Sequence, residues 1–359
     1  MRRLTSLYLL FILFSPVFLF SQPIHTEIDF SRVDSAAKTV DYKGDIEQLT
    51  NDLVKPYSLP LFQVRAIFIW ITDNIRYDYK FINKEKEVKI PDCKPGIDCG
   101  QMLIDWENNY LKQVIRQGKA VCDGYARLFK KMCDIAGIRS SVISGYTKTK
   151  PYQVGVAGPV NHAWNAVWID NEYHFVDPTW AAGYCEEDES TGKLLNFKKQ
   201  YTDYYWFPSF QDLARNHYPK EAKWVFEPGY TKEKFANNPW IAPDIISEIR
   251  LLSPSTGVIA VKKGDTIHFN FRYTGNIEKL QINSNIFRNP SVTVEEKISR
   301  RRSRMVTDTL ALKKQRYIPY EKTGNHYAFD HVVTDNSLYY LEILFQHRRV
   351  MRFKINVDK

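Results

Sequence analysis

A single cysteine, Cys122, stands where a turn passes into a helix, and this placement constrains the fold more than any other feature of the sequence. Apolar residues follow it at three- and four-residue steps, which predicts a helix with one buried face: Tyr125, Leu128, Met132 and Ile135. Gly137 then predicts the end of the helix. The free N–H groups and the dipole at a helix N-terminus favour a thiolate, the form of cysteine that attacks carbonyl groups. Cys122 is therefore a candidate nucleophile, although a cysteine is also commonly a small buried hydrophobe.

A β-hairpin is predicted downstream of this helix. Residues 162–169 and 172–177 have the composition of strands, and Asp170 and Asn171 separate them. Asp and Asn tolerate positive φ, so this pair predicts a two-residue turn between antiparallel strands. A three-residue turn would invert the side-chain parity, so the pairing that follows depends on this register.

In that register Asp177 faces Trp164, and His162 lies on the same face as Trp164 and diagonal to Asp177, within side-chain reach. A carboxylate that orients an imidazole, which in turn polarises a thiol, is the arrangement used in acyl transfer. The predicted catalytic residues are therefore Cys122, His162 and Asp177. Taken alone, His162 is more typical of a hydrogen-bonded histidine at a strand edge.

Three segments resemble the transglutaminase-like cysteine enzymes: residues 118–126, 162–165 and 176–180. The resemblance implies an α+β fold, with helices packed on an antiparallel sheet as in papain-like enzymes. It also implies a triad of a cysteine at a helix start, a histidine on one strand and an aspartate on the next. Cys122, His162 and Asp177 match those three positions.

Two further segments extend the resemblance to roughly residues 60–227. Residues 65–78 resemble the leading helix of the superfamily. Residues 204–219, continuing through Trp224, resemble the segment that follows the core in the kyphoscoliosis-peptidase branch. Some relatives in that branch lack part of the triad, whereas this sequence has all three residues.

The N-terminus predicts an exported protein. Residues 1–21 have a charged start at Arg2 and Arg3, an apolar run over residues 7–20 and a small residue, Ser21, at the expected cleavage point. The apolar run is short for a membrane span, so we expect a signal peptide rather than an anchor. The mature chain is expected to be secreted or periplasmic, with no stable membrane insertion.

Composition supports two packed domains and excludes an obvious nucleic-acid partner. The 359 residues are 44% hydrophobic and carry a formal net charge of +9, but the basic residues are scattered and match no nucleic-acid-reading motif. We expect a signal peptide at 1–21, a helical lead-in at 22–59, a transglutaminase-like catalytic domain at 60–227, a linker at 228–245 and a β-sandwich at 246–359. Alternating apolar residues over 267–273 and 351–357 predict the immunoglobulin-like sandwich.

The five cysteines, an odd number, leave at least one free thiol in an exported protein. Cys93 and Cys99 flank a turn-forming segment and could form a short disulfide. Their spacing matches no common zinc motif, and we predict no metal and no cofactor. Cys133 is expected to be buried packing, and the state of Cys185 is left open.

The predicted function is an exported cysteine enzyme that acts on peptide or amide bonds through a thioester on Cys122. The resemblance to the kyphoscoliosis branch favours a peptidase with a protein or peptide substrate. One alternative is a cross-linking transglutaminase, in which a lysine amine replaces water; another is a non-catalytic adaptor at a cell surface. The C-terminal domain could contact that surface. The oxyanion donor is left open among the backbone N–H of Cys122, Gln113, Gln117 and an upstream tryptophan.

Overall fold

A computed structural model describes residues 28–94, 96–188, 191–287, 292–299, 302–308 and 316–358. The predicted signal peptide, residues 1–21, lies outside this part of the chain. Within it, no helix is both long enough and apolar enough to span a membrane.

The leading helix and the cysteine helix are both present in the structure. One begins with Pro60, because a proline at the first helical position loses only an N–H that would be unpaired. The cysteine helix buries Tyr125, Leu128 and Met132 and ends before Gly137, whose φ is 71°. The helices of the described residues are α1 (Ser31–Ala37), α2 (Ile46–Val54), α3 (Pro60–Asn74), α4 (Tyr79–Ile82), α5 (Cys99–Gln117), α6 (Cys122–Ile135), α7 (Pro178–Ala182), α8 (Phe210–Leu213) and α9 (Lys232–Ala236).

Helix α5 starts earlier than the sequence pattern predicts. We expect a short helix from Asp105 to Gln117, but the observed helix begins at Cys99. The Asp98 side chain accepts a hydrogen bond from the Gln101 N–H at 3.1 Å, so it caps the first turn. The extra turn therefore comes from a local cap rather than from apolar periodicity.

A four-stranded antiparallel sheet forms the centre of the first domain, in the order β5-β4-β3-β8. Helix α6 packs on this sheet, and the buried Asn165 side chain on β4 donates a hydrogen bond to the Ala126 carbonyl at 2.9 Å. The strands of this part are β1 (Arg76–Tyr77), β2 (Lys119–Ala120), β3 (Ser140–Thr147), β4 (His162–Ile169), β5 (Glu172–Val176), β6 (Gly183–Glu187), β7 (Leu194–Lys199) and β8 (His217–Pro219). The pairs β1–β2 and β6–β7 form separate two-stranded sheets.

A buried arginine joins the lead-in to the first domain. The Arg65 guanidinium on α3 is 2% exposed and donates two hydrogen bonds to Asp34 on α1, at 2.6 and 2.7 Å. Its third hydrogen bond, at 2.6 Å, is to Asp203, and its cationic face lies over Phe30 and Trp206. Because a buried charge is costly unless it is fully paired, these contacts fix how α1 packs on α3.

The C-terminal part of the chain is all β. Among the described residues, its two larger sheets have the orders β10-β12-β18-β17 and β11-β20-β19-β13-β16, with β9 paired to β20, and β14 and β15 form a separate two-stranded sheet. Phe269 on one sheet packs against Phe353 on the other, with ring centroids 5.1 Å apart, so the sheets face each other across an aromatic core. The strands are β9 (Trp240–Ile241), β10 (Ile249–Ser253), β11 (Val258–Lys262), β12 (Thr266–Tyr273), β13 (Leu280–Ser284), β14 (Val292–Ser299), β15 (Arg302–Asp308), β16 (Arg316–Tyr317), β17 (Glu321–Thr323), β18 (His326–Val332), β19 (Tyr340–Phe345) and β20 (Arg348–Asp358).

The predicted fold class, an α+β core followed by an all-β region, is confirmed. The predicted linker, residues 228–245, contains α9 and β9. Because β9 pairs with β20, this segment takes part in the C-terminal sheet.

Candidate active site

Cys122 is the first residue of α6, as predicted. The preceding helix α5 ends at Gly118, whose φ of 57° reverses the chain, and β2 then leads into Val121. A Cβ on Gly124 would lie 2.7 Å from the Ala120 Cβ, so only glycine fits where α6 packs against the turn. The Cys122 thiol is half-buried and lies at a helix N-terminus, where a negative charge is stabilised.

The hairpin has the predicted two-residue turn. Asp170 and Asn171 adopt φ values of 50° and 67°, and Ile169 pairs with Glu172. The same register continues to the pair Asn165 and Val176, one residue before Asp177. The prediction that the hairpin register brings Asp177 to His162 is confirmed, since the two side chains are hydrogen-bonded.

Asp177 accepts four hydrogen bonds in a fully buried position. Its Oδ1 accepts from the backbone N–H groups of Thr179 and Trp180, at 2.8 and 3.1 Å, so Asp177 also caps α7. Its Oδ2 lies 2.6 Å from His162 Nε2 and 3.0 Å from His217 Nε2. Burial alone would raise the pKa of Asp177, but the two histidines outweigh burial and hold the pKa well below its usual range.

His162 connects the carboxylate to the thiol. Burial disfavours its charged form, but the Asp177 carboxylate, and then a hydrogen bond and charge interaction with Cys122, raise the pKa of His162 to about 10. With Nε2 bonded to Asp177, Nδ1 is the ring nitrogen left for the thiol. A protonated imidazole beside Cys122 favours the thiolate.

His217 is a residue of the candidate site that the sequence pattern does not reveal. Residues 204–219 are singled out by resemblance only, and nothing in their local pattern shows that β8 joins the sheet beside β3. The His217 ring packs 5.2 Å from the His162 ring and 4.7 Å from the Trp180 ring, measured between centroids. Only the non-local pairing of β8 with β3 brings this histidine to Asp177.

Tyr77 is a second such residue that the sequence pattern does not reveal. Strand β1 pairs with β2 in parallel and sets Tyr77 opposite Ala120, two residues before Cys122. Burial raises the pKa of Tyr77 well above its usual value, and the nearby Cys122 and Asp177 add to the effect. Tyr77 is therefore a neutral phenol, able to donate a hydrogen bond, on the strand beside the turn that leads to Cys122.

Three tryptophans on and after the hairpin, Trp164, Trp168 and Trp180, have different surroundings. Trp164 is fully buried in the core, whereas Trp180 is half-buried and its ring centroid lies 5.6 Å from that of His162. Trp168 packs under the Arg139 guanidinium. Of the three, Trp180 is the one that borders both His162 and the solvent.

Of the possible side-chain oxyanion donors, the upstream Trp70 already has another hydrogen-bond partner. It is buried in α3, and its indole N–H donates to the Val40 carbonyl at 2.8 Å. Gln113 is exposed on α5, and Gln117 lines a cavity of about 450 Å³ together with Asp73 and Lys199.

The other cysteines differ from Cys122. Cys93 and Cys99 form a disulfide, as the sequence suggested. Cys133 is fully buried, as predicted, and burial raises its pKa. Cys185, on β6, is half-buried, and burial raises its pKa to about 12. Neither thiol has a histidine among its hydrogen-bond partners in the described part of the chain.

The His162, Asp177 and His217 cluster has the residue types of a metal site, with its ligand atoms all within 4.8 Å of one another. The N-to-O separations of 2.6 and 3.0 Å are hydrogen-bond lengths. Ligands of a tetrahedral zinc ion lie about 3.3 Å apart, as follows from bond lengths near 2 Å. The geometry therefore fits a hydrogen-bonded cluster better than a metal site.

Comparison with known proteins relates part of this chain to a known family. Residues 47–178 match the family model described as the transglutaminase-like superfamily. Kyphoscoliosis peptidase from Mus musculus is 30% identical over 248 residues, which are 68% of this chain and 34% of that protein. The Homo sapiens protein of that name is 30% identical over 239 residues, 66% and 32% of the two chains. Hillarin from Drosophila melanogaster is 25% identical over 230 residues, 61% and 26% of the two chains.

This chain spans about a third of the length of the two kyphoscoliosis peptidases that it matches. A solved structure titled as that of a TGase aligns at 16% identity over 50% of this chain and 39% of that chain, with a TM-score of 0.26. A TM-score this low carries no argument about the family of this chain.

Proposed function

Because residues 47–178 form a domain of the transglutaminase-like superfamily, we propose that this chain is a cysteine peptidase that forms a thioester on Cys122. The observation that carries the proposal is the buried 2.6 Å hydrogen bond between His162 and Asp177, with Cys122 at the start of α6 close enough to His162 to raise its pKa. Its elements serve nucleophilic acyl transfer: a thiol at a helix N-terminus, a charged imidazole and a buried carboxylate that orients it. The name of the two relatives, kyphoscoliosis peptidase, supports hydrolysis as the reaction.

In the proposed mechanism the Cys122 thiolate attacks the amide carbonyl carbon and the carbonyl oxygen takes up the negative charge. The tetrahedral intermediate collapses as His162 Nδ1 gives its proton to the leaving amine, which leaves a thioester on Cys122. His162, now neutral, takes a proton from water as the water attacks the thioester. The acid is released and the thiolate–imidazolium pair is restored. Asp177 keeps the Nε2 proton in place throughout, since it accepts from that nitrogen at 2.6 Å.

The oxyanion of the intermediate needs donors, and we propose the Cys122 backbone N–H and the Tyr77 hydroxyl. Replacing Tyr77 with phenylalanine is then expected to lower kcat about 10- to 100-fold, because one donor to the developing charge is lost. Alkylation of Cys122 by iodoacetamide forms no oxyanion, so its rate should stay unchanged.

The control for this variant is Tyr204→Phe, since the Tyr204 hydroxyl bonds the Asp212 carbonyl at 2.7 Å, away from the thiol. It should keep wild-type kcat. An equal loss of alkylation and turnover in Tyr77→Phe would show that Tyr77 supports the packing of the site instead.

The acyl acceptor decides between peptidase and cross-linking enzyme. The purified mature chain would be incubated with casein and a fluorescent primary amine, with the Cys122→Ala variant alongside. We expect new casein N-termini, dependent on Cys122, as the main product. Amine incorporation without cleavage would support the cross-linking alternative. The absence of either product, while the chain is folded, would support the non-catalytic adaptor.

We also propose that the enzyme is exported and acts on a protein or peptide substrate outside the cytoplasm. The sequence of residues 1–21 supports export, and so does the Cys93–Cys99 disulfide, since disulfides persist in oxidising compartments. The C-terminal sandwich is the part we assign to contact with a cell surface. Intact mass of the secreted protein would test cleavage after Ser21, and an unprocessed N-terminus would contradict it.

A further inference from the structure

His217 is held at the back of the candidate site by the sheet. Strand β8 pairs with β3, and His217 lies opposite Thr147 in that pairing. The His217 ring is 1% exposed and is enclosed by the rings of Trp164, Trp180 and Tyr205, with centroids 4.7 to 5.7 Å away. It is too deeply buried to meet a substrate directly.

The hydrogen bonds of His217 determine which nitrogen carries its proton. Nε2 lies 3.0 Å from the Asp177 carboxylate, which can only accept, so Nε2 must carry a hydrogen. Burial lowers the pKa of His217 to about 4 against the opposing effect of Asp177, so the ring is neutral and Nδ1 has no hydrogen. Asn216 Oδ1 lies 2.5 Å from Nδ1, and Asn216 Nδ2 donates to the Tyr205 hydroxyl at 2.9 Å. The oxygen and nitrogen of an amide are assigned from the hydrogen-bond network, and with the two exchanged the NH₂ group donates to Nδ1 while Oδ1 accepts from the Tyr205 hydroxyl, which serves this tautomer.

Both histidines use the same carboxylate oxygen. Oδ1 of Asp177 is occupied by the Thr179 and Trp180 N–H groups, which leaves Oδ2 for His162 and His217 together. The backbone N–H groups already fix the direction of the carboxylate. A second donor on Oδ2 therefore does more than orient Asp177: it draws charge away from the oxygen that holds His162.

We propose that His217 is a positioning residue of the active site, whose Nε2–H shares Asp177 Oδ2 with His162 and so weakens the hold of Asp177 on the His162 imidazolium. This inference rests on the proposed function. In that reaction His162 must release a proton to the leaving amine, and an imidazolium paired with an unshared buried carboxylate would be a poorer acid.

Three titratable neighbours face His217: Asp177 before α7, His162 on β4, and Tyr205, whose ring centroid lies 5.7 Å away. Burial keeps the pKa of Tyr205 well above its usual value, so it stays neutral. The Trp164 and Trp180 rings carry no charge. A substitution at His217 should therefore act on the pH dependence of the site through Asp177 and His162.

The test is the pH dependence of Cys122 alkylation by iodoacetamide in the full mature chain, where the upper inflection reports loss of the His162 proton. His217→Phe keeps an aromatic ring but removes the donor. We expect its upper inflection to rise by about 0.5 to 1 pH unit, because Asp177 then pairs with His162 alone. With a substrate, kcat should fall about tenfold while KM changes little, as expected of a weaker general acid.

Two variants make the result specific. His217→Gln retains an N–H near the position of Nε2 and should restore the wild-type inflection. His174→Leu removes a half-exposed histidine that pairs with Glu172 on β5, outside the site, and should change nothing. If His217→Phe does not fold, His217→Leu removes the same donor with a smaller side chain and should give the same upward change.

If His217 only supported the packing of the site, the upper inflection of His217→Phe would move in the opposite direction. A loosened site would admit water, weaken the Asp177–His162 pair and move the upper inflection down towards the ordinary histidine value. A downward or absent change in His217→Phe, with wild-type Cys122 still reacting below neutral pH, would overturn this inference alone. If wild-type Cys122 does not react below neutral pH, the proposed function itself fails.

Discussion

Replacing Cys122 with alanine is expected to lower kcat on any amide substrate by about a thousandfold or more. The variant retains the oxyanion donors and the histidine but has no atom to form the thioester, and loss of a nucleophile removes nearly all of the catalysis that a triad supplies. Because the thiol is half-buried and alanine is compatible with a helix, the fold should be retained. The measurement is kcat on the substrate identified by cleavage screening, with a thermal melt to confirm folding.

Cys185→Ala is the matched control. Its thiol is also half-buried and free, but burial raises its pKa to about 12, so it is a poor nucleophile at neutral pH. This variant should keep kcat within about threefold of wild type. If the two variants lost activity equally, the assignment of Cys122 as the nucleophile would be wrong.

Replacing Asp177 with asparagine is expected to have the next largest effect, a fall in kcat of about a thousandfold. The Thr179 and Trp180 N–H groups require an oxygen at the Oδ1 position, so the new NH₂ group must take the place of Oδ2. That group would face the His162 Nε2–H, donor against donor. His162 would then move its proton to Nδ1, towards Cys122, and could no longer accept the thiol proton.

The same substitution removes the charge that holds His162 protonated, so the pKa of His162 should fall from about 10 towards its ordinary value. Reaction of Cys122 with iodoacetamide below neutral pH should disappear along with turnover. Asp134→Asn is the control, since Asp134 pairs with Lys130 on the exposed side of α6. An Asp177→Asn variant with wild-type kcat would contradict the role given to the carboxylate.

The geometry of the candidate site that follows from the sequence depends on local chemistry. Asp170 and Asn171 determine a two-residue turn, and the turn determines the register, so the approach of Asp177 to His162 follows from a short stretch of sequence. The cysteine helix was predicted for the same reason, because its apolar period and its end at Gly137 are both local.

The missed residues depend on strand pairings between distant segments. Tyr77 reaches Cys122 because β1 pairs with β2, and His217 reaches Asp177 because β8 pairs with β3. These strands are two and three residues long, too short to show a period of two. Their positions are set by packing against the rest of the domain, which a local pattern does not record.

The most direct test of the account is whether Cys122 and His162 form a thiolate–imidazolium pair. The purified mature protein would be treated with iodoacetamide between pH 5 and 9, the labelled cysteine identified by mass, and the His162→Ala variant treated in parallel. We predict fast labelling of Cys122 below neutral pH in the wild type and its loss in the variant, because the thiolate depends on the charged imidazole. Slow labelling of the wild type, or fast labelling that survives without His162, would contradict the proposed active site.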